Sequence, residues 1–176
     1  MYFKVLFSMD YTKDKKLIRR WLIFFMIALA LSGMTAFPLE SEIWALVTNW
    51  PFTRSGALYS WVWRVCEALR ETNLHYPFLA YGYDWLAFAH LVIAIAFIGP
   101  YKDPIKNKWV IEFGMIACVL VFPLAFIAGA IRGIPVYWRL IDCSFGVVGL
   151  ISLSICYRKI GMLEKHFLEI GGINLI

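Results

Sequence analysis

The residues best suited to chemistry in this chain are ionisable side chains that fall inside or beside apolar runs. Asp84 lies early in one run, Arg132 ends another, and Arg139 and Asp142 lie near the start of the last. Charge within a bilayer is costly, so such residues are usually paired, functional, or both. Arg139 and Asp142 have a spacing that puts both side chains on one helix face, which leaves Arg132 and Asp84 to pair with each other.

Two interpretations of these charges remain open. A guanidinium group binds oxyanions through two parallel hydrogen bonds. Arg132 and Arg139 are therefore candidates to hold a carboxylate, a phosphate or a lipid headgroup in a polar pocket at the outer face, completed by Asp84, Trp138 and Asp142. Alternatively, two Arg/Asp pairs pin the helices together at the membrane edge, where partial hydration lowers the cost of charge.

His90 lies near the middle of a second apolar run and is the candidate catalytic residue. A histidine at that depth could act as an acid or base on a lipid or prenyl-type substrate, or could be a hydrogen-bonded packing residue. Haem ligation would need a second deep histidine, so no cofactor is expected. The chain shows no recognisable catalytic triad order, carboxylate pair or phosphate-binding glycine loop, which leaves enzyme status open.

The cysteines Cys66, Cys118, Cys143 and Cys156 form no C-x-x-C pair and have no histidine at metal-ligand spacing, so no metal site is predicted. A layout of four spans with an outer loop resembles that of membrane thiol oxidoreductases of the DsbB and vitamin K epoxide reductase type. Those families need redox cysteine pairs. The absence of such a pair excludes this resemblance as a guide to function.

The elements that must position these residues follow from composition, which is 61% hydrophobic and only 16% charged over 176 residues. A span needs about 20 helical residues to cross a hydrocarbon layer. The sequence therefore predicts an all-α integral membrane protein in one domain, a bundle of four transmembrane helices. The predicted spans cover residues 21–37, 78–98, 109–131 and 136–156.

Residues 38–77 are predicted to form an outer loop that contains an amphipathic helix. Apolar residues recur there at helical spacing, while charged residues take the other face. The apolar set is Leu58, Trp61, Val62, Val65 and Leu69. Pro123 is predicted to kink the third span, because proline lacks the N–H that continues a helix.

Small residues line one face of the third and fourth predicted spans, and such faces let helices pack closely in lipid. The two sets are Gly114, Cys118, Ala125 and Gly129, then Gly146, Gly149, Ser152 and Cys156. The two faces are predicted to meet each other or the bundle centre.

Lysines and arginines near the span ends predict the orientation. The N-terminal segment, the connection around Lys106 and the tail at 157–176 are basic, which favours both termini on the cytoplasmic side of a cell or inner membrane. These basic residues lie at the ends of apolar runs and form no continuous patch, so no nucleic-acid partner is expected.

The favoured function is a non-enzymatic protein that binds membrane lipid or a small anionic ligand, or that serves as an accessory subunit with a partner membrane protein. The first alternative is a membrane enzyme that uses His90. The second is a transporter or channel subunit, which would need a homo-oligomer because bulky aromatic residues leave little room for a pore.

Overall fold

A computed structural model describes residues 2–51 and 54–173, with side chains for residues 11–51 and 54–165. This described part is helical and contains no β-strand. Four helical segments are long and apolar enough to cross a membrane: Tyr11–Ala36, Pro77–Lys102, Lys108–Ile131 and Val136–Lys165. The prediction of an all-α chain with four such segments is confirmed.

The helices run in the order α1 Tyr2–Ala36, α2 Leu39–Thr48, α3 Ala57–His75, α4 Tyr81–Ala96, α5 Ile98–Lys102, α6 Lys108–Pro123, α7 Gly129–Ile131 and α8 Val136–Ile173. A short 3₁₀ turn at Pro77–Ala80 precedes α4. Helix α8 does not end with its apolar part at Cys156, but continues through the charged residues that follow it. The predicted tail is therefore largely helical.

Pro123 ends the regular part of the third segment. Helix α6 stops at this residue, and a π-helical turn at Leu124–Ala128 carries the chain into α7. A proline ring clashes with the carbonyl one turn earlier and donates no hydrogen bond, so a local change of helical geometry at this position is expected. The change in helical winding thus begins directly after the proline at which a kink is predicted.

The chain divides into two compact units. Unit 1 comprises Met1–Ile27 and Ile95–Ile176, and unit 2 comprises Ala28–Ala94. The core of unit 1 includes Ile18, Leu22, Phe97, Ile111 and Leu153, each of them fully buried.

Helices α6 and α8 pack at close range through the predicted small-residue faces. A Cβ at Gly114 would lie 2.6 Å from the ring of Phe97 and 2.7 Å from Leu153. A Cβ at Gly146 would lie 2.8 Å from the carbonyl oxygen of Cys118. Only glycine permits such approaches, so the prediction that these faces meet is confirmed.

In unit 2, the C-terminal part of α1 crosses α4 at a glycine. A Cβ at Gly33 would lie 2.8 Å from the carbonyl oxygen of Ala87 and 3.1 Å from Cβ of His90. Helices α2 and α3 follow, and the buried side of α3 includes Val62 and Cys66. The predicted amphipathic face is correct in direction, although Leu58 at its start is 43% exposed.

Candidate functional site: arginine turn and lysine groove

The turn between α7 and α8 uses Arg139 as a structural residue. The N–H of Ile134 donates to the Gly129 carbonyl at 2.9 Å, and the N–H of Gly133 donates to Ala130 at 3.1 Å. Gly133 has φ of +69°, the left-handed conformation that this helix-ending motif requires. Arg139 then donates from Nε to the Ile134 carbonyl at 2.6 Å, which closes the turn.

Arg139 also packs its aliphatic part against α7, where a Cβ at Gly129 would lie 3.0 Å from Cδ of the arginine. Its predicted partner does not reach it: among the described residues no ion pair within 4.0 Å joins Arg139 to Asp142. Arg139 and Asp142 are both half-buried. The predicted Arg139–Asp142 pair is therefore wrong. Nε of Arg139 donates to the Ile134 carbonyl instead.

The other residues of the predicted outer pocket belong to both units and are described unit by unit. Arg132 is exposed, and Trp138 is half-buried beside the turn. Within the described part of unit 1, Arg132 has no ion pair within 4.0 Å. Asp84 belongs to unit 2, where it lines a small cleft with aromatic residues. Within unit 1, Arg139 thus has a backbone partner in the turn, whereas Arg132 is exposed.

His90 is half-buried on α4 and is engaged by its own helix. Its Nδ1 lies 2.7 Å from the Leu86 carbonyl oxygen, a geometry in which Nδ1 donates. Its Cβ lies in the close crossing with Gly33. Both contacts favour the packing interpretation of this histidine over the acid–base one.

Lysines at the opposite end of the α6–α8 pair divide into two classes. Lys108 donates to Glu164 at 2.6 Å, and Lys159 lies 2.8 Å from Asp14. All four side chains are less than one third exposed. These pairs hold the start of α6 and the segment of α1 around Asp14 against α8, so their lysines are structural.

A second set of lysines at this end surrounds an open groove of about 320 Å³. The groove is lined by Tyr11, Lys15, Lys102, Asp103, Pro104, Ile105, Lys106 and Leu163. Lys15 and Lys102 have no carboxylate within 4.0 Å in the described part of the unit, and Lys106 lies 3.9 Å from Asp103. This lysine groove therefore carries a net positive charge beside apolar walls.

The turn between α5 and α6 has an ordered backbone on either side of Lys106. Asp103 Oδ1 accepts a hydrogen bond from the backbone N–H of Lys106 at 3.2 Å. Asn107 donates from Nδ2 to the carbonyls of Asp103 at 2.9 Å and Gly99 at 3.2 Å. Short polar side chains that bond to nearby backbone in this way are typical of ordered turns.

Helix α1 is tied to the same turn. Arg19 donates from Nε to the Tyr101 carbonyl at 3.3 Å, and its guanidinium carbon lies 5.2 Å from the centre of the Tyr101 ring. Lys15, one helical turn earlier, is thereby held on the α1 side of the groove. The arrangement presents ammonium groups from two chain segments to one opening, which suits a multiply charged anion such as a phosphate group.

No protein-family model, curated protein or solved structure matches this chain.

Metal and thiol chemistry find little support in the described residues. No group of three or more His, Cys, Asp or Glu side chains there could hold a metal ion. Burial raises the pKa of the Cys66 thiol; Arg70 opposes the shift, and Glu40 and Glu67 reinforce it. A thiol with a raised pKa is a poor nucleophile at neutral pH.

The lysine groove was missed as a site at the sequence level because its lysines fit the charge pattern that sets membrane orientation. One signal was available: in the connection after α5, Asp103 directly follows Lys102 and Asn107 directly follows Lys106, both at turn positions. Such a turn holds its lysines in fixed places. The contribution of Lys15 depends on how α1 packs, which no local pattern reveals.

Proposed function

We propose that this protein spans a membrane four times and binds the phosphate-bearing headgroup of an anionic lipid in the lysine groove, without catalysing a reaction. The observation that carries the proposal is the division of lysines at one end of unit 1. Lys108 and Lys159 are neutralised by carboxylates, whereas Lys15 and Lys102 face the groove without one.

The groove suits a lipid better than a free anion because its walls combine lysine side chains with apolar residues. Half-buried Ile105 offers apolar surface beside the ammonium groups, and the buried side chains of Pro104 and Leu163 complete the apolar lining. Leu163 is itself 2% exposed and belongs to the segment of α8 that is apolar enough to span a membrane. A headgroup held by the lysines would leave its acyl chains beside apolar helix surface.

Charge near the groove supports both the ligand class and the orientation. Further exposed basic residues at this end include Lys13, Lys16, Arg20, Arg158 and Lys165. Anionic lipids of a cytoplasmic leaflet attract such clusters by about 1 kcal/mol per basic residue near the surface. We therefore place the lysine groove and both termini on the cytoplasmic side of a cell or inner membrane.

The test is native mass spectrometry of the protein extracted gently from its membrane. The variant Lys15→Gln/Lys102→Gln/Lys106→Gln removes the groove charge, and Lys13→Gln/Lys16→Gln/Lys165→Gln removes the same charge from exposed positions outside the groove. We expect the exposed-site variant to lose only the part of the lipid held by general surface charge, and the groove variant to retain at least tenfold less anionic lipid than the exposed-site variant.

Two results would overturn the proposal. Equal lipid loss in both variants would show that general surface charge, not the groove, holds the lipid. A protein that emerges without lipid and only with partner chains would instead establish the accessory-subunit interpretation.

A further inference from the structure

A cleft in unit 2 has walls made almost entirely of aromatic rings. It encloses about 300 Å³ between the end of α1 and the first turns of α4, and is lined by Phe37, Tyr81, Asp84, Trp85 and Phe88. The four rings are each 46% to 62% exposed, while Asp84 is half-buried among them. This aromatic cleft thus presents a single carboxylate in an apolar setting.

The rings along α4 are held in edge-to-face contact. Tyr81 and Trp85 have ring centres 5.8 Å apart at 78°, and Trp85 and Phe88 have centres 5.8 Å apart at 89°. The face of an aromatic ring is the negative part of its quadrupole and attracts a cation, most strongly for tryptophan. Because neighbouring rings stand nearly perpendicular, they cannot all turn their edges the same way, and all of them line the cleft that also contains Asp84.

Asp84 lacks a cation from its own unit. Among the described residues of unit 2, no Lys, Arg or His nitrogen lies within 4.0 Å of its carboxylate. A carboxylate in a segment apolar enough to span a membrane is costly unless a positive charge compensates it. The cleft offers room for such a charge to come from a ligand.

We propose that the aromatic cleft binds the trimethylammonium headgroup of a choline-type membrane lipid. A quaternary ammonium has no N–H donors, so ring faces and one carboxylate satisfy it fully. A primary ammonium would bring three donors that need acceptors. Phe88 and Val92, one helical turn apart and both exposed, continue the apolar surface on which an acyl chain lies.

This site differs from the lysine groove in charge, in location on the chain and in ligand, and neither proposal depends on the other. The lysine groove would take the anionic part of a lipid through ammonium groups. The aromatic cleft takes a cation through rings and a carboxylate.

The experiment measures binding of dodecyltrimethylammonium to the full chain in nanodiscs of an uncharged digalactosyl lipid without choline. Its neutral control is dodecanol, an amphiphile with the same chain and no charge. We expect the charged probe to bind at least tenfold more tightly than the neutral one. Asp84→Asn should remove most of that difference, and Trp85→Leu should reduce it.

Glu112→Gln is the matched control, because it removes an exposed carboxylate from another helix without touching the cleft. It should leave binding unchanged. Equal affinity for the two amphiphiles, or full binding by Asp84→Asn, would overturn the proposal. Free choline binding as tightly as the amphiphile would overturn the assignment to a lipid. Because Asp84→Asn conserves shape, helix content by circular dichroism will separate loss of binding from loss of fold.

Discussion

The two ends of the α6–α8 pair in unit 1 use their basic residues in opposite ways. At the turn end, Arg139 donates to the Ile134 carbonyl and holds the backbone. At the other end, Lys15 and Lys102 face a groove without a carboxylate. Residue type alone would favour the arginines for anion binding, because guanidinium matches oxyanions better. The difference is that Arg139 is bonded to the backbone, whereas Lys15 and Lys102 line a common groove without an ion-pair partner among the described residues of the unit.

Helices α6 and α8 connect the two ends of the pair. The largest effect on stability is expected where the backbone of one helix lies closest to the other. Gly146→Ala would place a Cβ 2.8 Å from the Cys118 carbonyl oxygen, so the helices must separate. We expect the free energy of unfolding to fall by roughly 1–3 kcal/mol. The measurement is denaturant unfolding of the purified protein in detergent.

Gly161→Ala is the control on the same helix, because a Cβ there meets nothing within 4 Å. It should raise the free energy of unfolding by about 0.5–1 kcal/mol, since alanine is the better helix former. Equal destabilisation by both changes would contradict the account of close packing.

The second prediction addresses the turn end directly. Arg139→Met removes the bond to the Ile134 carbonyl and should lower the free energy of unfolding by roughly 1–2 kcal/mol, as expected for a charge-assisted bond in a half-buried site. Arg132→Met, at an exposed position, should change it by less than about 0.5 kcal/mol. Thermal unfolding of the two variants side by side is the measurement. The structural assignment of Arg139 fails if Arg132→Met is the more damaging change.

The third prediction concerns the neutralised lysines at the groove end. A double-mutant cycle of Asp14→Asn and Lys159→Gln should give a coupling energy of about 0.5–1 kcal/mol, because the pair lies at 2.8 Å and is mostly shielded. Raising the salt concentration should reduce it. A coupling energy of zero would contradict a structural role for the Asp14–Lys159 ion pair.

The smallest effect concerns the Cys66 thiol in unit 2 and tests whether burial lowers its reactivity. Because burial raises the pKa of Cys66, its thiolate is scarce at neutral pH. We expect its alkylation rate in the folded protein to keep rising beyond the pH at which the urea-unfolded chain levels off. Peptide-resolved mass spectrometry after iodoacetamide labelling gives both curves. A folded curve that levels off at lower pH than the unfolded one would contradict the burial argument.

Periodicity and composition were sufficient to predict the helical class, the four long apolar segments and the faces that carry Gly114 and Gly146. These features depend on local spacing and on the length of apolar runs. The same holds for the direction in which Val62 faces on α3.

The partners of individual charges could not be predicted in this way. Arg139 bonds to the Ile134 carbonyl. That carbonyl lies in a turn in which Gly133 takes a left-handed conformation. Lys15 reaches the groove only because α1 is fixed through Arg19 and Asp14. Such pairings depend on three-dimensional packing, so spacing along one helix suggested the wrong partner for Arg139.

The most direct test of the central claim compares two single lysine variants, Lys102→Gln in the groove and Lys108→Gln in the ion pair with Glu164. Binding of fluorescently labelled phosphatidic acid and thermal unfolding are measured on both. We expect Lys102→Gln to weaken lipid binding about tenfold without lowering the unfolding temperature, and Lys108→Gln to lower that temperature without weakening binding. Parallel changes in both quantities for both variants would contradict the division between available and neutralised lysines.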